Sequence, residues 1–223
     1  MAYHKASAEA SVAHGLKYVI GETNSIACQG LAGLSDTFAS SLWAADYALY
    51  GASVGVSQMF WHMGTGYRYN AWQATQNGTT APGPRPLYYG NLLLAQALSA
   101  GNKQVVQILS TPTTAGYAIY GASKPRQRPG LKAIALVNFN VYNATATPGR
   151  ARSQIDFQLP AECSGKKATL QRLTAASVDA RDGVTFGGQS VSLTGDITGR
   201  KEVEKVKGGV VSVKASEAVL ISF

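Results

Sequence analysis

The sequence predicts an α/β front part followed by an all-β rear part, on three observations. Helical and extended patterns alternate over the first hundred residues, the rhythm of strands joined by helices in a parallel sheet. Short β-rich segments separated by Gly, Pro, Asn and Asp then take over, the pattern of an antiparallel sandwich. Charge changes at the same place: residues 1–100 carry four basic and four acidic side chains, residues 101–223 carry 16 and eight. The boundary falls near residues 100–104, giving units of 1–103 and 104–223.

Each element has a local reason. Residues 3–16 are rich in Ala and Ser with few breakers and read as a helix ending at Gly15. Tyr18–Glu22 is a short buried strand. Ser35 and Asp36 read as a helix start, Ser as the N-cap and Asp favouring the dipole. That helix carries Phe38, Leu42, Ala45 and Leu49 along one stripe and stops at Gly51. Val54–Trp61 is a second largely apolar strand, followed by the loop "HMGTGYRYNAWQ". After the exposed loop "TQNGTTAPGPRP", Leu87–Ala100 reads as a helix ended by Gly101. The rear strands are expected at Val105–Ser110, Gly116–Tyr120, Lys132–Phe139, Gln154–Leu159, Ala168–Leu173, Ser190–Thr194, Val210–Lys214 and Ala218–Ser222.

Composition bounds the classes. With 223 residues, 45% apolar and 14% charged, the chain suits a folded protein and not a disordered one. No apolar run approaches the roughly 18 residues that cross a bilayer, and no membrane partner is expected. The first 20 residues lack the basic start and apolar core of a signal peptide. Cys28 and Cys163 exclude a disulfide scaffold and a Cys-rich zinc site, and whether they pair is open. The basic rear half could attract polyanions or simply be a solvated surface. Its charges are scattered, clustering only in "KPRQRPGLK" at Lys124–Lys132, so nucleic acid is not an expected partner. Asn77-Gly78-Thr79 and Asn143-Ala144-Thr145 fit the glycosylation acceptor pattern.

The chemistry centres on Glu22, an acid at the end of the first strand, where α/β folds build active sites. Thr23, Asn24, Ser25 and the Gly30 backbone follow with hydrogen-bonding groups. The second strand ends in His62, Tyr67, Arg68, Tyr69 and Trp72. Aromatics beside a carboxylate suit a sugar, the rings stacking on its apolar face and the acid working at the anomeric centre. The same pattern also fits a capping or ion-paired Glu22 with its aromatics in the core. With three His and no H-x-x-x-H spacing, neither a metal nor another cofactor is expected.

"GETNS", followed by "GLSDTFASSLWAADYALYG", resembles the nucleophile strand and following helix of family 79 glycoside hydrolases, which include microbial and fungal β-glucuronidases and heparanase. "SQMFWHMGTGYRYN" is similar to the family's next strand and its Gly/Tyr substrate loop. "ATLQRLTAASVDARDGVTFGGQSVSL" resembles its C-terminal β-sandwich, so the likeness runs over roughly residues 15–223. It implies a retaining mechanism on β-glucuronides with Glu22 as nucleophile. Tyr67 would match a tyrosine that binds the glucuronate carboxylate. The loop Cys28, Gln29 and Gly30 would supply backbone N–H groups to the same anion, and it departs here from more glycine-rich versions. Asn24, His62 and Tyr69 complete the expected substrate-binding set.

The resemblance also implies what this chain lacks. A retaining glycosidase uses two carboxyls about 5 Å apart. The family's acid/base glutamate lies in an Asn-Glu pair, and no Asn-Glu dipeptide occurs in this sequence. A (β/α)8 barrel needs eight units, and only two strands precede the sandwich. The fold expectation is therefore the last two βα units of an incomplete (β/α)8 barrel followed by an antiparallel β-sandwich. The implied parent is a secreted enzyme, and the isolated chain is expected to be inactive and to self-associate through the exposed barrel edge.

Overall fold

The computed structural model describes residues 2–78, 80–99, 103–122, 128–146 and 148–223. Gly101 as a helix stop, residues 124–127 of the basic loop and Thr79 of the first glycosylation pattern lie outside these residues.

The front half begins with α1 (Ala2–Ala13) and β1 (Tyr18–Thr23), linked through Gly15 at a φ of 71°. Next come α2 (Phe38–Ser53), β2 (Val56–Trp61), a short antiparallel pair β3 (Trp72–Gln73) and β4 (Gly83–Pro84), then α3 (Pro86–Ala97). β1 and β2 pair in parallel, Ile20 opposite Met59. Ala8 of α1 packs on Ile20 and Val56, covering one face of this pair. The other face is bare: Val19 is 39% and Phe60 55% exposed.

The predicted start of α2 needs correction. Helix geometry begins at Phe38, with Thr37 as N-cap and no side-chain cap. Ser35 Oγ instead accepts the Leu31 N–H, and Asp36 Oδ1 accepts the Gly33 N–H. The helix's first free N–H groups go to the rear half: Phe38 N–H donates to Ala180 O and Ala39 N–H to Val178 O. A helix end must satisfy those donors somehow, and here the partner is tertiary, invisible in local sequence. Nor does Gly51 stop the helix; it lies buried inside it, and the chain turns at Gly55 with φ of 94°.

The rear half contains β5 (Lys103–Thr111), β6 (Thr114–Gly121), β7 (Gly130–Asn138), β8 (Gln154–Gln158), β9 (Thr169–Thr174) and β10 (Thr185–Phe186). β11 (Ser190–Val191), β12 (Ile197–Thr198), β13 (Glu204–Lys205), β14 (Val210–Lys214) and β15 (Glu217–Ser222) complete it. The strand expected over Ser190–Thr194 shrinks to β11, paired only with β12. Seven strands form one antiparallel sheet in the order β10-β9-β15-β7-β6-β5, with β13 pairing Thr169 and Leu170 of β9.

The expected sandwich is lopsided. One face of the sheet, with Tyr117, Ile119, Ala135, Val137 and Leu220, packs on α2 and α3. The opposite face, with Ala118, Ile134, Leu136 and Val219, is covered by the two-stranded ribbon β8–β14. A strand buried on both faces reads as a continuous apolar run rather than an alternation. That accounts for "AIALVN" in β7 and "AVLI" in β15. Asn138, fully buried, ties sheet to ribbon by donating to Val213 O at 3.0 Å. Glu217, also buried, accepts from Arg172 at 2.8 Å, so its charge is paired inside.

Candidate active site

Parallel strands β1 and β2 end side by side, and their C-terminal ends hold the expected residues. The Glu22 side chain is 73% exposed, its Oε1 3.9 Å from His62 Nδ1, an ion pair when the imidazole is protonated. His62 Nδ1 also shares a 2.7 Å hydrogen bond with the Tyr69 hydroxyl. Tyr69 is buried, and burial pushes its phenol upward, with Tyr67, Glu22 and Cys28 acting in the same direction. The phenol is therefore held protonated. Tyr67 completes an aromatic corner, its ring centroid 5.6 Å from His62 and 5.7 Å from Tyr69 at an edge-to-face angle.

The loops are tied to one another by amides. Asn24 Nδ2 donates to His62 O at 2.9 Å and Tyr69 O at 3.2 Å, and its Oδ1 accepts from Ser25 N–H. Its side chain thus fastens the first strand's loop to the second's. Cys28, Gln29 and Gly30 follow in succession at φ of 57°, 72° and 85°. The Gly30 position admits no side chain: a Cβ there would lie 2.8 Å from Ser35 Cβ and 3.1 Å from Tyr69 Cδ1. Gln29 O accepts the Arg68 N–H at 2.8 Å, which sets the loop against the aromatic corner. Cys28 is exposed, Cys163 is buried, and both are free thiols.

All eight expected residues, Glu22, Asn24, Cys28, Gln29, Gly30, His62, Tyr67 and Tyr69, thus fall in one region. Sequence reasoning missed its supports. Ser25 Oγ and Ser35 Oγ meet at 2.9 Å, and Asn70, buried, clasps Gly64 through both N–H and C=O. Tyr47 on α2 meets Thr23 Oγ1 at 3.0 Å and stacks with Trp43 and Trp61 behind the strand ends. Neither Tyr47 of α2 nor Asn70 gave a signal of spatial proximity in the sequence. Among the described residues no group of three His, Cys, Asp or Glu is arranged to hold a metal ion. Nor do the described contacts of Glu22 include a second carboxyl: Glu9 faces Lys5, Asp36 faces Arg181 and Asp46 accepts from Tyr117.

Comparison with known proteins supplies the context. Residues 116–220 match the model of the glycosyl hydrolase family 79 C-terminal beta domain. A β-glucuronidase of Neurospora crassa is 32% identical over 92% of this chain and 45% of its own length. One of Aspergillus niger is 33% identical over 79% of this chain and 34% of its own. The crystal structure of a 4-O-α-L-rhamnosyl-β-D-glucuronidase from Fusarium oxysporum superposes with a TM-score of 0.78 at 27% identity, covering 97% of this chain and 45% of that one. The chain spans less than half the length of each.

Proposed function

We propose that the chain, whose residues 116–220 match the family 79 C-terminal beta domain, belongs to glycoside hydrolase family 79 and is the nucleophile-bearing portion of a retaining β-glucuronidase. One observation carries the reading: the Glu22 carboxylate projects into solvent from the end of a parallel strand, beside an imidazole and two tyrosines. Likeness to two β-glucuronidases supports the substrate class.

In this reading β1 and β2 are the last two strands of a (β/α)8 barrel, and residues 104–223 buttress them. A Glu22 oxygen attacks the anomeric carbon as the aglycone bond breaks, giving a glycosyl–enzyme ester that water then hydrolyses. His62, bonded to Tyr69, sits where it orients that carboxylate. Tyr67 and the left-handed Cys28–Gln29–Gly30 loop face the glucuronate carboxylate. Three successive positive φ values fold this loop tightly, and its backbone N–H groups are the donors assigned to that anion. The acid/base carboxyl comes from polypeptide outside this chain, so the chain alone forms no complete double-displacement centre.

The test exploits a leaving group that needs no acid. With a 2-fluoro-glucuronyl fluoride, attack by Glu22 forms the ester and expels fluoride without protonation. Peptide mass spectrometry should find the adduct on Glu22 and nothing in Glu22→Gln. Adduct on another residue, or equal labelling of the variant, would remove Glu22 from the nucleophile role. Aryl β-glucuronide should show no enzyme-like turnover with the isolated chain.

A further inference from the structure

A second concavity, which shares Tyr47 with the supports of the Glu22 cluster, lies in the seam between α2 and the β5–β6 hairpin. It has a volume of about 400 Å³ and takes residues from both halves of the chain. That size accommodates a single sugar ring with room for water. Asp46 lines it, and its Oδ1 accepts a 2.5 Å hydrogen bond from the fully buried Tyr117. The other Asp46 oxygen has no hydrogen bond among the described residues. Gln107 stands alongside, its amide 3.4 Å from the Tyr117 hydroxyl, too long to use that donor fully. Tyr47, Tyr50 and Phe139 supply ring surface, and Ser110 lies on the exposed rim.

The chemistry of this lining narrows the ligand. A carboxylate with one open oxygen accepts from hydroxyl groups, an amide both donates and accepts, and aromatic rings pack against the C–H face of a pyranose. Among the described residues no Lys or Arg lines the cavity, so none of them would offset the charge of an acidic sugar beside Asp46. The groove therefore differs in sign and composition from the glucuronate-facing loop. We propose that the α2/β5–β6 seam is a binding site for one neutral pyranose unit, with Asp46 and Gln107 as its hydrogen-bonding groups and the seam aromatics as its stacking surface. This does not depend on Glu22 being a nucleophile.

Saturation-transfer NMR on the full chain with a panel of neutral methyl pyranosides tests it. At least one should receive saturation on its ring protons. Asp46→Asn keeps an acceptor for Tyr117 but loses the charged one, and should weaken binding about tenfold. Gln107→Ala, at the cavity's edge, should weaken it by a smaller factor. It carries the test if Asp46→Asn fails to fold. Glu22→Gln should leave pyranoside binding unchanged. No saturation transfer from any pyranoside overturns the proposal, as does binding indifferent to Gln107→Ala or abolished by Glu22→Gln. Choline binding more tightly than every pyranoside would also overturn it, because the seam would then be a site for organic cations.

Discussion

The two parallel strands at the front and the seven antiparallel strands at the rear are built on opposite terms. The rear sheet is covered on both faces, by α2 and α3 on one side and by the β8–β14 ribbon on the other. The front pair is covered on one face by α1, where Ala8 packs on the buried Ile20 and Val56. Yet the exposed carboxylate, the imidazole and the left-handed loop all sit on the front pair. Chemistry is carried by the thinly packed region and rigidity by the thickly packed one, joined by the backbone bonds from Phe38 and Ala39 to residues 178 and 180.

The sharpest way to break that contrast is to delete equivalent apolar groups from each region. Leu136 is fully buried in β7, and Leu136→Ala should cost about 3 kcal/mol, lost transfer energy plus the cavity left behind. Phe60, 55% exposed on β2, should behave oppositely: Phe60→Ser changes stability by no more than about 0.5 kcal/mol. The same change should reduce self-association through the bare face. Urea unfolding and sedimentation velocity read the two effects. Equal destabilisation by both substitutions would mean that the front pair is not thinly packed after all.

A smaller effect probes how the helices seat on the sheet. Gly90 of α3 faces α2 so closely that a Cβ would lie 2.5 Å from the Ser41 carbonyl oxygen. That obstacle is backbone and cannot rotate away, so Gly90→Ala should cost about 1–3 kcal/mol despite Ala's better helix propensity. A neutral or stabilising result would show that the helices separate freely. Gly30→Ala comes next, at about 1–2 kcal/mol, from φ of 85° and from contact with Ser35 and Tyr69. Its displacement of Tyr69 should also shift the His62 ring resonances, which Gly90→Ala should leave in place.

How much of this was legible beforehand follows the same division. The strands of the rear half could be read because β-branched and apolar residues are dense in "AIALVN" and "AVLIS" of the sheet and "VVSVK" of the ribbon. The site residues could be gathered because Glu22 and His62 each stand at a strand end, and parallel strands bring those ends together. What could not be read was tertiary. Ser35 and Asp36 carry the residue types of a helix start, yet they serve the loop before it, while distant carbonyls cap α2. Gly51 looks like a stop and is instead a buried point inside the helix. No local pattern announces that α2 and α3 cover the sheet, because an apolar stripe specifies a burial partner's existence and not its identity.

The gentlest probe of the seam between the regions is protonation of Asp46. Burial raises its carboxyl above the ordinary Asp range, and the Tyr117 hydrogen bond only partly offsets that. The folded state therefore binds this proton more tightly than the unfolded one. Its contribution to stability is fully present below the unfolded pKa near 3.8 and is lost as pH rises through the folded value. Asp179 has the opposite sign: the Ser177 hydroxyl holds its carboxylate below the usual range, so it stabilises above that range and ceases to do so in acid. Asp46→Asn removes the charge while keeping an acceptor for Tyr117. Its stability relative to the parent should thus improve as pH is raised from acid to neutral, whereas Asp179→Asn should lose ground over the same interval. Urea midpoints at several pH values decide it. Parallel profiles for Asp46→Asn and the parent would mean that the seam carboxylate is as well solvated as the exposed one.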